Sequence, residues 1–148
     1  MPDTIKIADY AFSRIQEAFA HLETRIYSDD PADLCMDILR QDGLQFDVKL
    51  KLQNEDELSL SAGYFGNEWS PCTDEYRVKE YIRAVSGLLS GEFRIVESYQ
   101  GDKPVKAELQ AYGDTGWNTL YLKYSLTFPM PWLEKTTKIL QNTNTIDR

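Results

Sequence analysis

Leu44-Gln45-Phe46-Asp47-Val48-Lys49-Leu50-Lys51-Leu52-Gln53 alternates apolar and polar side chains without an exception. A period of two marks a strand with one buried and one wet face. The polar turn Asn54-Glu55-Asp56 follows, and Leu58, Leu60, Ala62 and Tyr64 resume the alternation. The two runs predict an antiparallel hairpin, which commits the chain to a sheet solvated on one side.

Upstream the period changes. Phe12, Ile15, Phe19, Leu22 and Ile26 recur at spacings of three and four and predict a helix over Ala8–Ile26. Asp29-Asp30-Pro31-Ala32-Asp33 has the form of a helix start, with Asp30 as N-cap and Pro31 at the first position. A second helix is therefore expected to run to about Gln41, with Leu34, Cys35, Ile38 and Leu39 on its apolar face. Gly63 to Pro71 is periodic in neither sense and is expected to be a loop. A third helix, capped by Ser70-Pro71 or Thr73 and closed by Ser90-Gly91, follows from Val78, Tyr81, Ile82, Val85, Leu88 and Leu89.

The second half is strand-like. Phe93–Gln100, then Val105 to Ala111, then Trp117–Phe128 are separated by glycine turns and predict a meander. Pro129 and Pro131 end it, and Trp132, Leu133, Thr136, Ile139 and Leu140 suit a short terminal helix before a polar tail at 142–148. The expected fold is a single α+β domain over 1–141, in the order α-α-β-β-α-β-β-β-α. It has a five-stranded, mostly antiparallel sheet with helices packed on one face.

Composition narrows function more than motifs do. The chain has 148 residues, of which 42% are hydrophobic, enough for a core of its own. Acids exceed bases by 24 to 16, a net charge of −8 that disfavours nucleic acid as partner and favours a basic protein. One histidine and two cysteines leave no His-rich metal site and no cysteine-cluster zinc site, so neither a metal nor another cofactor is expected. GxGxxG, GxxxxGK[ST], HExxH, CxxC and GxSxG are all absent. With no leader-like N-terminus and no run of apolar residues long enough for a membrane span, a cytoplasmic protein with free Cys35 and Cys72 thiols is expected.

Two features stand out. Acids cluster at Asp29, Asp30, Asp33 and Asp37, at Glu55, Asp56 and Glu57, and at Glu68, Asp74 and Glu75. They suit either a solvated surface or a negative contact face that steers a basic partner. Tyr64, Phe65 and Trp69 form an aromatic loop, which either covers the end of the core or anchors a partner. Trp117 and Tyr121 share a strand face with Thr119 and Lys123 that should be wet, so they call for a covering element or a ligand.

In size, charge and acidic-plus-aromatic surface the chain resembles the small acidic immunity proteins of bacteria. The resemblance implies a non-enzymatic domain that binds and neutralises a basic toxin. The residues expected to meet the partner are Tyr64, Phe65, Glu68, Trp69, Asp74, Glu75, Glu55, Asp56, Trp117 and Tyr121. A secretion chaperone and a small-ligand domain, with a pocket between the sheet and the first helix, are the alternatives. The oligomeric state stays open.

Overall fold

A computed structural model describes residues 3–29, 32–125 and 130–142. These hold α1 (Thr4–Ala18), β1 (Arg25–Asp29), β2 (Ala32–Ile38), β3 (Val48–Gln53), β4 (Glu57–Ala62), β5 (Phe65–Trp69), α2 (Glu75–Ser90), β6 (Phe93–Gln100), β7 (Lys103–Gly113), β8 (Gly116–Tyr124) and β9 (Lys135–Leu140). The fold is α+β, but with two helices and two antiparallel sheets in place of four helices on one sheet. Their strand orders are β1-β2-β3-β4-β5 and β8-β7-β6-β9.

The predicted hairpin is the centre of the larger sheet. Leu50 pairs with Leu60 and Leu52 with Leu58, and all four side chains are buried. Leu44 and Phe46 are buried too, with the parity expected, although the strand itself begins at Val48. The opposite face carries Lys49 and Lys51, paired with Ser61 and Ser59.

Four elements differ from expectation. The second helix is strand β2, paired to β1 on one side and β3 on the other. Its Leu-Cys-Met-Asp-Ile run buries Met36 and Ile38 on one face, and on the other the buried Cys35 stands between Asp33 and Asp37; that one residue breaks the alternation and lets Leu34, Cys35, Ile38 and Leu39 mimic a helical stripe. The proposed cap at Asp30-Pro31 lies outside the described residues. The first helix stops at Ala18 because Phe19 and Leu22 reach the core from a turn, Leu22 N–H donating to the Phe19 carbonyl at 2.9 Å. Ile26 belongs to β1.

The aromatic loop is strand β5, antiparallel to β4 and joined to it by Gly63-Tyr64. Gly63 has φ +57°, a backbone that favours glycine. The terminal helix is instead strand β9, antiparallel to β6, where Lys-Thr-Thr-Lys-Ile-Leu follows β propensity. The capping residue of α2 is Asp74, not Thr73 or Ser70. Asn142, placed in the expected tail, is buried: it donates to the Leu88 carbonyl at 3.0 Å and accepts from Gln45 N–H at 2.7 Å. Residues 143–148, and Leu126 to Pro129 at the expected end of the third meander strand, lie outside the described residues.

Both helices cover the apolar face of the larger sheet, and α2 also touches β6 of the smaller one. The contact with β6 is close. A Cβ at Gly87 would lie 2.2 Å from Phe93 Cδ2, a severe clash, so only glycine lets that ring lie against the helix. No helix among the described residues is long and apolar enough to cross a membrane.

Candidate functional site

Asp3 caps α1, its side chain accepting from the N–H groups of Ile5 and Lys6 at 3.1 and 3.3 Å. Asp74 caps α2 in the same way, accepting from Tyr76 N–H at 3.0 Å, and Glu75 sits in the first turn. Carboxylates at both starts complement the positive ends of the helix dipoles. The N-terminal halves of the helices line one groove, and Ala18 of α1 with Phe19 just after it meets Gly87 and Ser90 of α2 at a second hollow. The two helices therefore run side by side in the same direction.

The first groove encloses about 560 Å³. Ile7 and Tyr10 of α1 face Val78 and Ile82 of α2 across it, Cys72 forms part of its floor, and Lys6, Lys79 and Glu75 stand at its rim. Tyr10 is 57% exposed. Cys72 N–H donates to the Asp56 carbonyl at 2.9 Å, which ties the β3–β4 turn to the groove floor. Burial, and secondarily the Asp56 charge, push the Cys72 thiol up, away from the thiolate a nucleophile needs. Asp56, Asp74 and Glu75 are thus brought to one end of the molecule, with Glu55 beside them in the turn.

The other expected residues lie elsewhere. Phe65 and Trp69 are spent in the core, 1% and 2% exposed. The Trp69 ring packs edge-on between Tyr81 and Tyr121, with centroids 5.3 and 5.0 Å away. Its Nε1 donates to the Tyr121 hydroxyl at 3.1 Å, which donates to Glu80 at 3.1 Å. Burial, with Glu80 adding to it and the Trp69 bond opposing it, pushes the Tyr121 hydroxyl up. Tyr64 is exposed and meets Tyr99 edge-on, and Glu68 is exposed on the other face of β5.

Trp117 and Tyr121 do not share a face. Leu109 pairs with Tyr121 and Gln110 with Thr119, so Leu120 is an extra residue, a bulge that reverses the alternation. Tyr121 turns inward to Trp69. Trp117 stays outside, packed on Tyr112 and lying 4.1 Å under the Arg94 guanidinium. The same bulge leaves Leu120, Leu122 and Tyr124 exposed.

Sequence reasoning missed the groove because Ile7 and Tyr10 lie beside the α1 stripe rather than on it. Their spacing of three, next to Ala8, Ala11, Phe12 and Ile15, is the signal that the apolar surface is wider than the core requires. Among the described residues no three His, Cys, Asp or Glu side chains are grouped to hold a metal ion. Cys35 and Cys72 are unbridged and buried, and His21 is exposed beside Phe19. Comparison with protein-family models, with curated proteins and with solved structures finds no match.

Proposed function

We propose that this chain is a non-enzymatic protein-binding module that seats an apolar, positively flanked segment of a partner between α1 and α2, in the manner of an immunity protein that neutralises a basic toxin domain. One observation carries it: an open apolar groove with an exposed tyrosine, at the end of the molecule where Asp56, Asp74 and Glu75 gather. Apolar walls supply affinity, and the net charge of −8 with Asp56 and Asp74 beyond the rim supplies steering of a basic partner, although Lys6 and Lys79 share the rim itself with Glu75. A secretion chaperone is the second reading. It is favoured by Leu120, Leu122 and Tyr124, which stand exposed on the strand that ends the smaller sheet.

The test is to mix the protein with the one encoded by the adjacent gene. A stable complex that forms more slowly as salt is added, with hydrogen-exchange protection on α1 and α2, supports the groove. Tyr10→Ala should then weaken it by roughly tenfold or more. Protection confined to β8 with a homodimeric chain transfers the case to the chaperone reading, and the absence of any complex overturns both.

A further inference from the structure

The solvated face of the larger sheet gathers cations. Lys49 and Lys51 stand two residues apart on β3, beside Ser61 and Ser59 of β4, and the same rows end in Gly66 and Glu68 of β5. Lys123 reaches in from β8 of the other sheet. Its Nζ lies 3.1 Å from where a Cβ at Gly66 would be, so the glycine leaves it room to come close. Together these residues line a cleft of about 160 Å³.

Three lysines and one acid, Glu68, line this cleft in a chain whose acids outnumber its bases by 24 to 16. Among the described residues none of the three makes an ion pair. Two carboxylates are near. Asp37, the cross-strand neighbour of Lys49, accepts from the Tyr27 hydroxyl at 3.0 Å, and Glu68 sits two strands from Lys51 in the same row. Like charges held together without partners raise the free energy of the folded state, and local rules are broken in this way chiefly at functional sites. The Ser59 and Ser61 hydroxyls add donors to the same cleft.

The geometry points to a binding site for one phosphoryl group, held by the ammonium groups of Lys49, Lys51 and Lys123 and by the two serine hydroxyls. The size agrees, since the cleft is well below the roughly 300 Å³ at which pockets for drug-sized ligands begin. A free phosphate fills it, and a phosphate monoester fits with its organic part directed to solvent. The site does not depend on the groove between the helices.

The test is a titration followed by amide NMR at constant ionic strength, first with inorganic phosphate and then with glycerol phosphate, sodium chloride being the balancing salt. Saturable shifts confined to β3, β4, β5 and the Lys123 region are expected. Lys51→Gln and Lys123→Gln should each weaken binding at least fivefold, and Glu68→Gln, which removes the rim's negative charge, should tighten it. Tighter binding of either probe identifies its source and supports the site. Shifts that do not saturate, that spread over the surface, or that ignore all three substitutions overturn it. Should a lysine variant fail to fold, the opposite sign expected for Glu68→Gln still decides.

Discussion

Replacing Glu97 with alanine should cost more than any surface substitution on this protein. Glu97 is a carboxylate only 2% exposed, on the inward face of β6. It accepts from Tyr64 N–H at 2.7 Å and from the Tyr99 hydroxyl at 2.8 Å, so it fastens the β4–β5 turn of one sheet to a strand of the other. A hydrogen bond to a charged acceptor contributes about 1.5–3 kcal/mol, and an orphaned buried donor costs about 1–3 kcal/mol. The Tyr99 hydroxyl is free to turn to water, and the variant no longer bears the cost of burying the carboxylate. The net loss for Glu97→Ala is then about 2–3 kcal/mol, a fall of roughly 1 M in the urea midpoint at an ordinary slope of about 2 kcal/mol per M.

Glu97→Gln separates hydrogen bonding from charge. Its amide oxygen can accept from Tyr64 while its NH2 donates to the Tyr99 oxygen, so the loss should be about 1 kcal/mol or less. A third variant probes the same contact from the other side. A Cβ at Gly63 would lie 2.7 Å from Glu97 Oε2 and 2.8 Å from Leu140 Cδ1, so Gly63→Ala should destabilise, and less so when Glu97 is already alanine. Equilibrium urea unfolding measures all of these. An unchanged midpoint for Glu97→Ala, or strict additivity in the cycle with Gly63→Ala, refutes the clamp.

Three further outcomes are expected. Burial, then the hydrogen bond and the charge of Glu97, push the Tyr99 hydroxyl up to about 12. Because the folded value exceeds the unfolded value near 10, its contribution to stability is whole below about pH 10 and disappears as the pH rises to about 12. Spectroscopic titration of tyrosinate should show Tyr99 ionising at lower pH in Glu97→Gln. Gly87→Ala gains up to about 1 kcal/mol in helix propensity but drives its methyl into the Phe93 ring at about 1–3 kcal/mol, so thermal melting should show net destabilisation. Tyr121→Phe leaves the Trp69 Nε1–H without its acceptor and should cost about 1–2 kcal/mol, with a change in near-ultraviolet dichroism that a silent surface variant would not show.

The sequence speaks clearly where one face is wet and one is dry. The alternation through Val48–Gln53 and Glu57–Ala62 identifies the central hairpin, and the 3.6-residue stripe of Val78, Tyr81, Val85 and Leu88 identifies α2. It misleads where that contrast fails. Strand β2 buries Cys35 on the face it shares with Asp33 and Asp37, which breaks its alternation and lets it pass for a helix, while β9 is so exposed that its apolar residues show no strict period. The Leu120 bulge is invisible to alternation, because one unpaired residue reverses every later side chain. Of the expected partner-binding residues, the acids of the β3–β4 turn and of the α2 start converge through the Cys72–Asp56 bond. The aromatic pair Phe65 and Trp69 is absorbed by the core. The groove itself depends on two helices that meet only in the folded chain.

The position of α2 also bears on how the molecule comes apart. Its inward side chains complete the core over β4 and β5, and Gly87 receives Phe93 from β6, so each sheet relies on the same helix for its dry side. Asn142 adds a fastening late in the chain, tying the segment after β9 to Leu88 and Gln45. Neither sheet is then a detachable subdomain: a fragment ending before Glu75 would leave Leu58 and Leu60 of β4 without their cover. Unfolding should be a single cooperative event, in which the slowest-exchanging amides of both sheets open with one common free energy.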